Sequence, residues 1–265
     1  MKKDPANPIS RTIELLSGQP AGTLLDVGTG AGELAHAMLE HGFTVTACDI
    51  YEKDFRYHGI IPFVRLNLDA EWPFTDGRFE YVVCLEVIEH LANPSQLIQA
   101  LAAAIKPGGL LVLSTPNILS LKSRLRFLTE GAWEYFREPL LERAQIEYAN
   151  PNEHFHIAPL RIHEIEFFLY TCGLRVETIE TTKLYTGLRK VLFPIELLIR
   201  LQTFLKCFRT DRKGNISYRR ISRLMLSPPL LYGQHLMVLA RKARIPSRAP
   251  ADTSPMGSVP ETKSL

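Results

Sequence analysis

The sequence predicts an α/β protein built on a parallel sheet that helices cover on both faces. Three observations predict it. Short apolar runs alternate with helical stretches from Thr23 to Thr115. Such runs suit strands buried on both faces, as in parallel sheets. The first run ends in a glycine-rich turn, Gly28-Thr29-Gly30-Ala31-Gly32, just ahead of a helical stretch. Finally, 46% of the 265 residues are hydrophobic and 22% charged, a globular balance that can bury a core of useful size.

The elements follow in order. Residues 1–19 are expected to form a helical lead-in, and 20–244 the main domain. Thr23 to Val27 is the first strand. Glu33 to His41 has helical spacing, with Gly42 as its stop. Phe43 to Asp49 is rich in β-branched residues and ends on an acid. Ile60 to Leu68 and Tyr81 to Leu85 are further strands, and Pro94 to Ile105 a helix. Gly108-Gly109 precede a fifth strand, Leu110 to Ser114. After Thr115-Pro116-Asn117 the rhythm stops. Residues 118–157 read as helices and loop. Ile162 to Tyr170 is a helix ending at Gly173, and Leu174 to Thr181 a strand. Residues 187–226 are helical and basic, and Tyr232 to Ala240 is the last strand. Residues 245–265, rich in Pro, Ser, Thr and Ala, are expected to be disordered.

Composition narrows the function classes. A net charge of +3 is too mild to argue for nucleic acid. Cys48, Cys84, Cys172 and Cys207 form no CxxC pair and read as reduced thiols. Met1 to Pro5 lacks the apolar core of a signal peptide, and no apolar run approaches the roughly 20 residues of a membrane span. The expectation is a cytoplasmic protein.

Strand, glycine turn and helix together make a nucleotide-binding arrangement. Glycine lets a ligand approach the backbone, and the helix N-terminus offers open amides. Asp49, at the end of the second strand, stands where an acid takes ribose hydroxyls. A nicotinamide enzyme would fit these features too. Two details speak against it. The spacing is Gly28-x-Gly30-x-Gly32 with Asp26 ahead of it, suited to an ammonium and a sulfonium more than to a pyrophosphate. Asp69, in Asp69-Ala70-Glu71-Trp72, can accept from an adenine amino group.

These residues resemble class I S-adenosylmethionine-dependent methyltransferases. The resemblance is carried by Leu25 to Gly32, Asp49, Asp69-Ala70, Phe79 to Val83 and Lys106-Pro107-Gly108-Gly109, over roughly residues 20–118. It implies a Rossmann-like seven-stranded sheet whose last strand is antiparallel, with helical insertions after strands five and six. It also implies that the glycine loop holds the methionine part of the cofactor, Asp49 the ribose and Asp69 the adenine. Ile50 would lie against the adenine ring, and Ala70 and Leu85 complete the expected cofactor set.

Glu86-Val87-Ile88-Glu89-His90 follows the fourth strand, at the carboxyl edge where open α/β sheets bind ligands. Started as a helix, it would put Glu86, Glu89 and His90 on one face. Two carboxylates and an imidazole suit a divalent ion such as Mg²⁺, with His154 or His156 as a further ligand. The same residues can instead serve as a base or cap a turn. The segment is similar to the ExxEH segments of ubiquinone-pathway O-methyltransferases, which associate with membranes. It is also similar to 3′-terminal small-RNA 2′-O-methyltransferases, which add a later histidine and a Thr-Pro-Asn. Counted back from Arg161, His156 fits that later histidine. The RNA enzymes' acidic-aromatic pair is absent, since Ile157-Ala158-Pro159 follows. The expected reaction is O-methylation of a small-molecule, glycan or lipid-linked hydroxyl, with transfer to an RNA end as the alternative.

Two insertions remain. Residues 118–157, with Tyr135, Phe136, Arg137 and Tyr148, read as a lid over the acceptor or as a packing layer. Residues 189–208 are very apolar and flanked by Lys and Arg through Arg223. Such a helix can contact a membrane, pack on the body or form a dimer face.

Overall fold

The computed structural model describes residues 7–69, 72–136, 155–185, 187, 189–211 and 222–244. In chain order the elements are α1 (Pro8–Leu16), β1 (Thr23–Val27), α2 (Glu33–Glu40), β2 (Thr44–Asp49), β3 (Phe63–Arg65) and β4 (Phe79–Leu85). They continue with α3 (Pro94–Ala104), β5 (Ile105–Pro116), α4 (Leu121–Glu130), α5 (Ile162–Thr171), β6 (Leu174–Glu180), α6 (Arg189–Asp211), α7 (Pro228–Tyr232) and β7 (His235–Lys242). The strands form one sheet in the order β3-β2-β1-β4-β5-β7-β6. β1 to β5 pair in parallel, and β7 runs antiparallel to both β5 and β6. The ends of β1, β2, β4, β5 and β6 and the start of β7 therefore share one edge.

Alternation along each strand gives the sheet two apolar faces. Leu25, Val82, Leu111 and Leu113 face one core with Leu97, Leu101, Ile162 and Ile165 of α3 and α5. Leu24, Val83 and Val112 face another with Leu16 of α1 and Leu34 and Met38 of α2. Strands buried on both sides are why the runs read as continuously apolar.

Some elements differ from expectation. β3 has three residues where Ile60 to Leu68 was expected. Ile60 and Ile61 turn back onto the Tyr57 carbonyl, and the Asn67 side chain accepts from Asp69 N. β5 starts earlier, at Ile105, with an irregularity between Phe79↔Ile105 and Tyr81↔Leu110 that loops out Lys106 to Gly109. Tyr232 ends a short helix that begins on Pro228, so β7 starts only at His235. The Asn117 amide ties these ends together by donating to the carbonyls of Pro229, Leu230 and Gly233. Cys48, Cys84 and Cys172 are free thiols. Among the described residues no helix is long and apolar enough to cross a membrane. His154, Arg137, Tyr148, Ala70 and the 245–265 tail lie outside the described residues, as does part of each insertion.

Candidate active site

The glycine turn leaves β1 and runs to the N-terminus of α2. Gly28 has φ 71° and Gly30 φ 54°, a left-handed backbone that side chains disfavour. A Cβ on Gly28 would stand 2.3 Å from Val87 Cγ2, while one on Gly30 would meet nothing within 4 Å. Gly32 caps α2, and its N–H closes the turn on the Thr29 carbonyl at 3.0 Å. Asp26 is buried beneath the turn and accepts from the Thr29 hydroxyl at 2.7 Å. Burial pushes its carboxyl up to about 6.

Asp49 is oriented by the same turn. Its Oδ2 accepts from Gly30 N at 2.8 Å and its Oδ1 from Tyr51 N at 3.0 Å. Each oxygen keeps a lone pair for a ligand hydroxyl. Burial raises its pKa above the usual carboxylate range. A cavity of about 250 Å³ begins here. Of the expected cofactor residues, Gly28, Asp49, Ile50, Asp69 and Leu85 line it, while Asp26, Gly30 and Gly32 do not. Tyr51 and Asn67 line it as well, and its far end reaches Glu86 and His90. The glycine turn, the acid at the end of β2 and the cavity beside them fit an adenosine-bearing cofactor.

At that far end the expected helical face is corrected. Glu86 has φ 54°, and only Ile88–His90 make a single 3-10 turn. The left-handed residue directs the Glu86 carboxyl to Ser114 and His235, outside the Glu89, His90 and His156 group. The Ser114 hydroxyl donates to its Oε1 at 2.6 Å, and His235 Nε2 lies 3.7 Å from its Oε2. Burial lifts the Glu86 carboxyl to about 7.

Glu89, His90 and His156 do come together, with ligand atoms all within 4.8 Å of one another. His156 is brought in because its neighbours dock on the turn. Ile157 N and Ala158 N donate to the Glu89 carbonyl at 2.8 and 2.9 Å. His90 Nδ1 lies 3.2 Å from the Phe155 carbonyl, a contact that orients the ring. Phe136 and His90 both meet the His156 ring edge-on. Glu89 is fully buried, and neither of its oxygens has a hydrogen bond. The Thr115 hydroxyl beside it is also outside hydrogen-bond geometry, as is His156 Nδ1. Burial, then the nearby Glu86, pushes the Glu89 carboxyl well up; burial and His90 push His156 down to about 4. The Glu89 carboxyl and the His90 and His156 rings, drawn together with the Glu89 oxygens and His156 Nδ1 lacking hydrogen bonds, form a ligand set that fits a divalent cation.

Sequence reasoning missed His235 and its surroundings. His235 Nδ1 meets Thr182 Oγ1 at 2.7 Å, and Tyr135 stacks against its ring. Burial lowers it to about 4, so it is neutral. Gln234 donates to the Tyr135 hydroxyl, which lies 3.4 Å from that of Tyr185. The available signal was a histidine heading an apolar strand on the ligand edge.

The strand order, the glycine turn and the carboxyl-edge cavity define a class I S-adenosylmethionine-dependent methyltransferase. The profile of a family described as a methyltransferase domain matches residues 1–177, and the chain belongs to that family. A ubiquinone biosynthesis O-methyltransferase of Bordetella avium is 35% identical over 147 residues, 48% of this chain and 61% of that protein. One from Xanthomonas campestris pv. campestris is 39% identical over 109 residues, 37% of this chain and 44% of that one. The chain thus spans less than two thirds of these relatives' length. Among solved structures, a SAM-dependent methyltransferase from Archaeoglobus fulgidus matches with TM-score 0.54 and 19% identity, covering 88% of this chain and 91% of that one. One from Methanosarcina mazei matches with TM-score 0.52 and 18% identity, covering 90% and 99%. These two likenesses establish the fold.

Proposed function

We propose that the chain methylates a hydroxyl of a small organic acceptor, of quinone-precursor or other lipid-linked character, at the end of the cavity near Glu86 and His90. The observation that carries this is the continuity of the cavity. One space joins Gly28, Asp49 and Asp69 at the donor end to Glu86 and His90 at the other. The names of the Bordetella and Xanthomonas relatives support an oxygen acceptor. When bound, S-adenosylmethionine supplies an electrophilic methyl group on a sulfonium. The chain's part is alignment: Asp49 and Asp69 fix the adenosine half, and the glycine turn fixes the methionine half. In this reading Asp26 shapes that turn from beneath.

Glu89, His90 and His156 would hold a divalent cation such as Mg²⁺, whose chemistry is to lower the pKa of a hydroxyl beside it. Glu86, beside this group but bonded to Ser114 and facing His235, is a carboxyl able to take up the acceptor's proton. Residues 118–136 contribute Tyr135 and Phe136 around this end. Peripheral membrane contact through residues 189–223 would bring a lipid-linked acceptor to the site.

Thermal melting tests the donor half. S-adenosylhomocysteine should raise the Tm while NAD leaves it unchanged, and Asp49→Ala should remove most of the rise. A shift with NAD alone would reject the reading, and an unchanged shift in the variant would reject the role of Asp49.

A further inference from the structure

The helix α6 is built with its polarity reversed. Between Val191 and Leu205 its inward positions are Leu192, Glu196, Ile199 and Thr203, spaced by four, three and four residues. Two of these four are polar. Leu192 and Ile199 pack with Leu121, Leu231 and Tyr232. The Glu196 carboxylate is 3% exposed and accepts from the Tyr232 hydroxyl and the Arg200 guanidinium. Eight large apolar side chains point outward instead, from Val191 at 72% exposure through Phe204 at 66% to Leu205 at 47%. A surface helix of a globular protein normally does the opposite. On the neighbouring α4, Phe127 is 44% and Leu128 81% exposed. Both helices follow strands that end on the edge where the cavity lies.

Charge says what covers this face. Residues 189–223 hold ten Lys or Arg against two acids, Glu196 and Asp211, while the chain as a whole is only +3. At about 100° per residue, the eight outward apolar residues spread over an arc of about 200°. Arg200 and Lys206 border that arc on its two sides, where long basic side chains can reach lipid phosphates while their stems stay in apolar surroundings. A seam with a second helix needs only a narrow stripe. A nucleic acid would use the cations and leave the apolar arc uncovered. A broad apolar arc edged with cations matches the interface of an anionic bilayer. The helix is not apolar enough to cross one.

We infer that α6 docks the protein peripherally on an anionic membrane, lying in the interface with its outward arc among the acyl chains. This contact does not depend on which acceptor is methylated. Co-sedimentation of the full chain with phospholipid vesicles tests it. Binding to phosphatidylcholine with about one third phosphatidylglycerol should be about tenfold or more tighter than to phosphatidylcholine alone, and should weaken with salt. Phe193→Glu combined with Leu198→Glu should lose that binding by about tenfold or more. Both side chains are exposed, so the variant's Tm and its response to S-adenosylhomocysteine should match wild type. Equal binding to both vesicle types would overturn the inference, as would wild-type binding by the variant. So would a dimer that the same substitutions split without vesicle binding, which would give the face to a second copy. RNA binding abolished by these substitutions, with no vesicle binding, would likewise overturn it. The assay reads binding without turnover, so its failure leaves methyl transfer standing, and failure to bind S-adenosylhomocysteine leaves the membrane result standing.

Discussion

Alanine at Gly28 and alanine at Gly30 should part a folding cost from a ligand cost. Both glycines are left-handed, and either alanine pays roughly 1–2 kcal/mol for that backbone. At Gly28 the new Cβ also stands 2.3 Å from Val87 Cγ2, which adds about 1–3 kcal/mol of overpacking. The sum is about 3 kcal/mol, or roughly 10 °C in Tm for a domain of this size. At Gly30 the Cβ meets no protein atom within 4 Å, so the apo protein should lose only about 5 °C. Ligand response should invert that order of severity. S-adenosylhomocysteine at about 100 times its Kd stabilises wild type by about 2.7 kcal/mol, roughly 8 °C. In the proposed reading the turn holds the methionine half of the cofactor, and the Gly30→Ala methyl would stand in its way. If affinity falls about 100-fold, the remaining shift is about 0.4 kcal/mol, near 1 °C. Melting curves with and without the ligand read both effects. A Gly30→Ala protein that keeps the full shift would refute the claim that the cofactor lies against this turn.

Two further outcomes follow from the buried carboxylates. Glu89→Gln should raise the metal-free Tm at pH 8, because it removes a carboxyl whose ionisation burial opposes and whose oxygens have no hydrogen bond. It should also abolish the extra stability given by Mg²⁺ or Mn²⁺, and chelator should lower wild-type turnover; turnover indifferent to chelator would end the metal reading. Asp26 has its pKa raised from 3.8 to about 6 in the folded chain. The folded state therefore binds this proton more readily than the unfolded one. The associated stability is full below pH 3.8 and lost as pH rises through about 6, a change of about 3 kcal/mol. Asp26→Asn should flatten that loss, so its Tm relative to wild type should climb between pH 4 and 7. A difference that stays constant across that range would reject the burial argument.

The fold was legible because its strands are buried on both faces, and burial writes itself as apolar runs. Thr23 to Val27, Phe43 to Asp49 and Tyr81 to Leu85 are found within two residues of where periodicity places them. The glycine turn was legible because its conformation and crowding demand particular residues. The far end of the cavity was harder to read. Spacing suggested a helical face for Glu86, Glu89 and His90, yet spacing cannot reveal that Glu86 is left-handed and held by Ser114. That choice is tertiary, made by a strand 28 residues further on. His235 was invisible for a related reason. Its partner across the sheet is Pro116, and the antiparallel register that brings it to Glu86 is a property of the pairing. The reversed faces of α6 were also hidden, since composition shows an apolar, basic helix but not which side of it meets the body.

The turn at Glu86 makes two chemically distinct groups out of one short motif, and they can be separated by experiment. Glu89 faces His90 and His156, whereas Glu86 faces Ser114 and His235. Glu86, lifted to about 7, is close to half-protonated at neutral pH, and His235, held near 4, is neutral beside it. Such a carboxyl can accept a proton from an acceptor hydroxyl, and the imidazole, fixed by Thr182, can keep it oriented. Glu86→Gln should therefore lower turnover by about 100-fold or more, the usual scale for loss of a general base. It should leave stabilisation by Mg²⁺ or Mn²⁺ in place. His235→Asn should act in the same direction but more weakly, because it removes the orienting partner and keeps the carboxyl. It should also shift the acid limb of the pH–rate profile, and a merely structural role would leave that limb unmoved. Metal stabilisation lost in Glu86→Gln as fully as in Glu89→Gln would join the two carboxylates into one cation site and end the separation argued from their geometry.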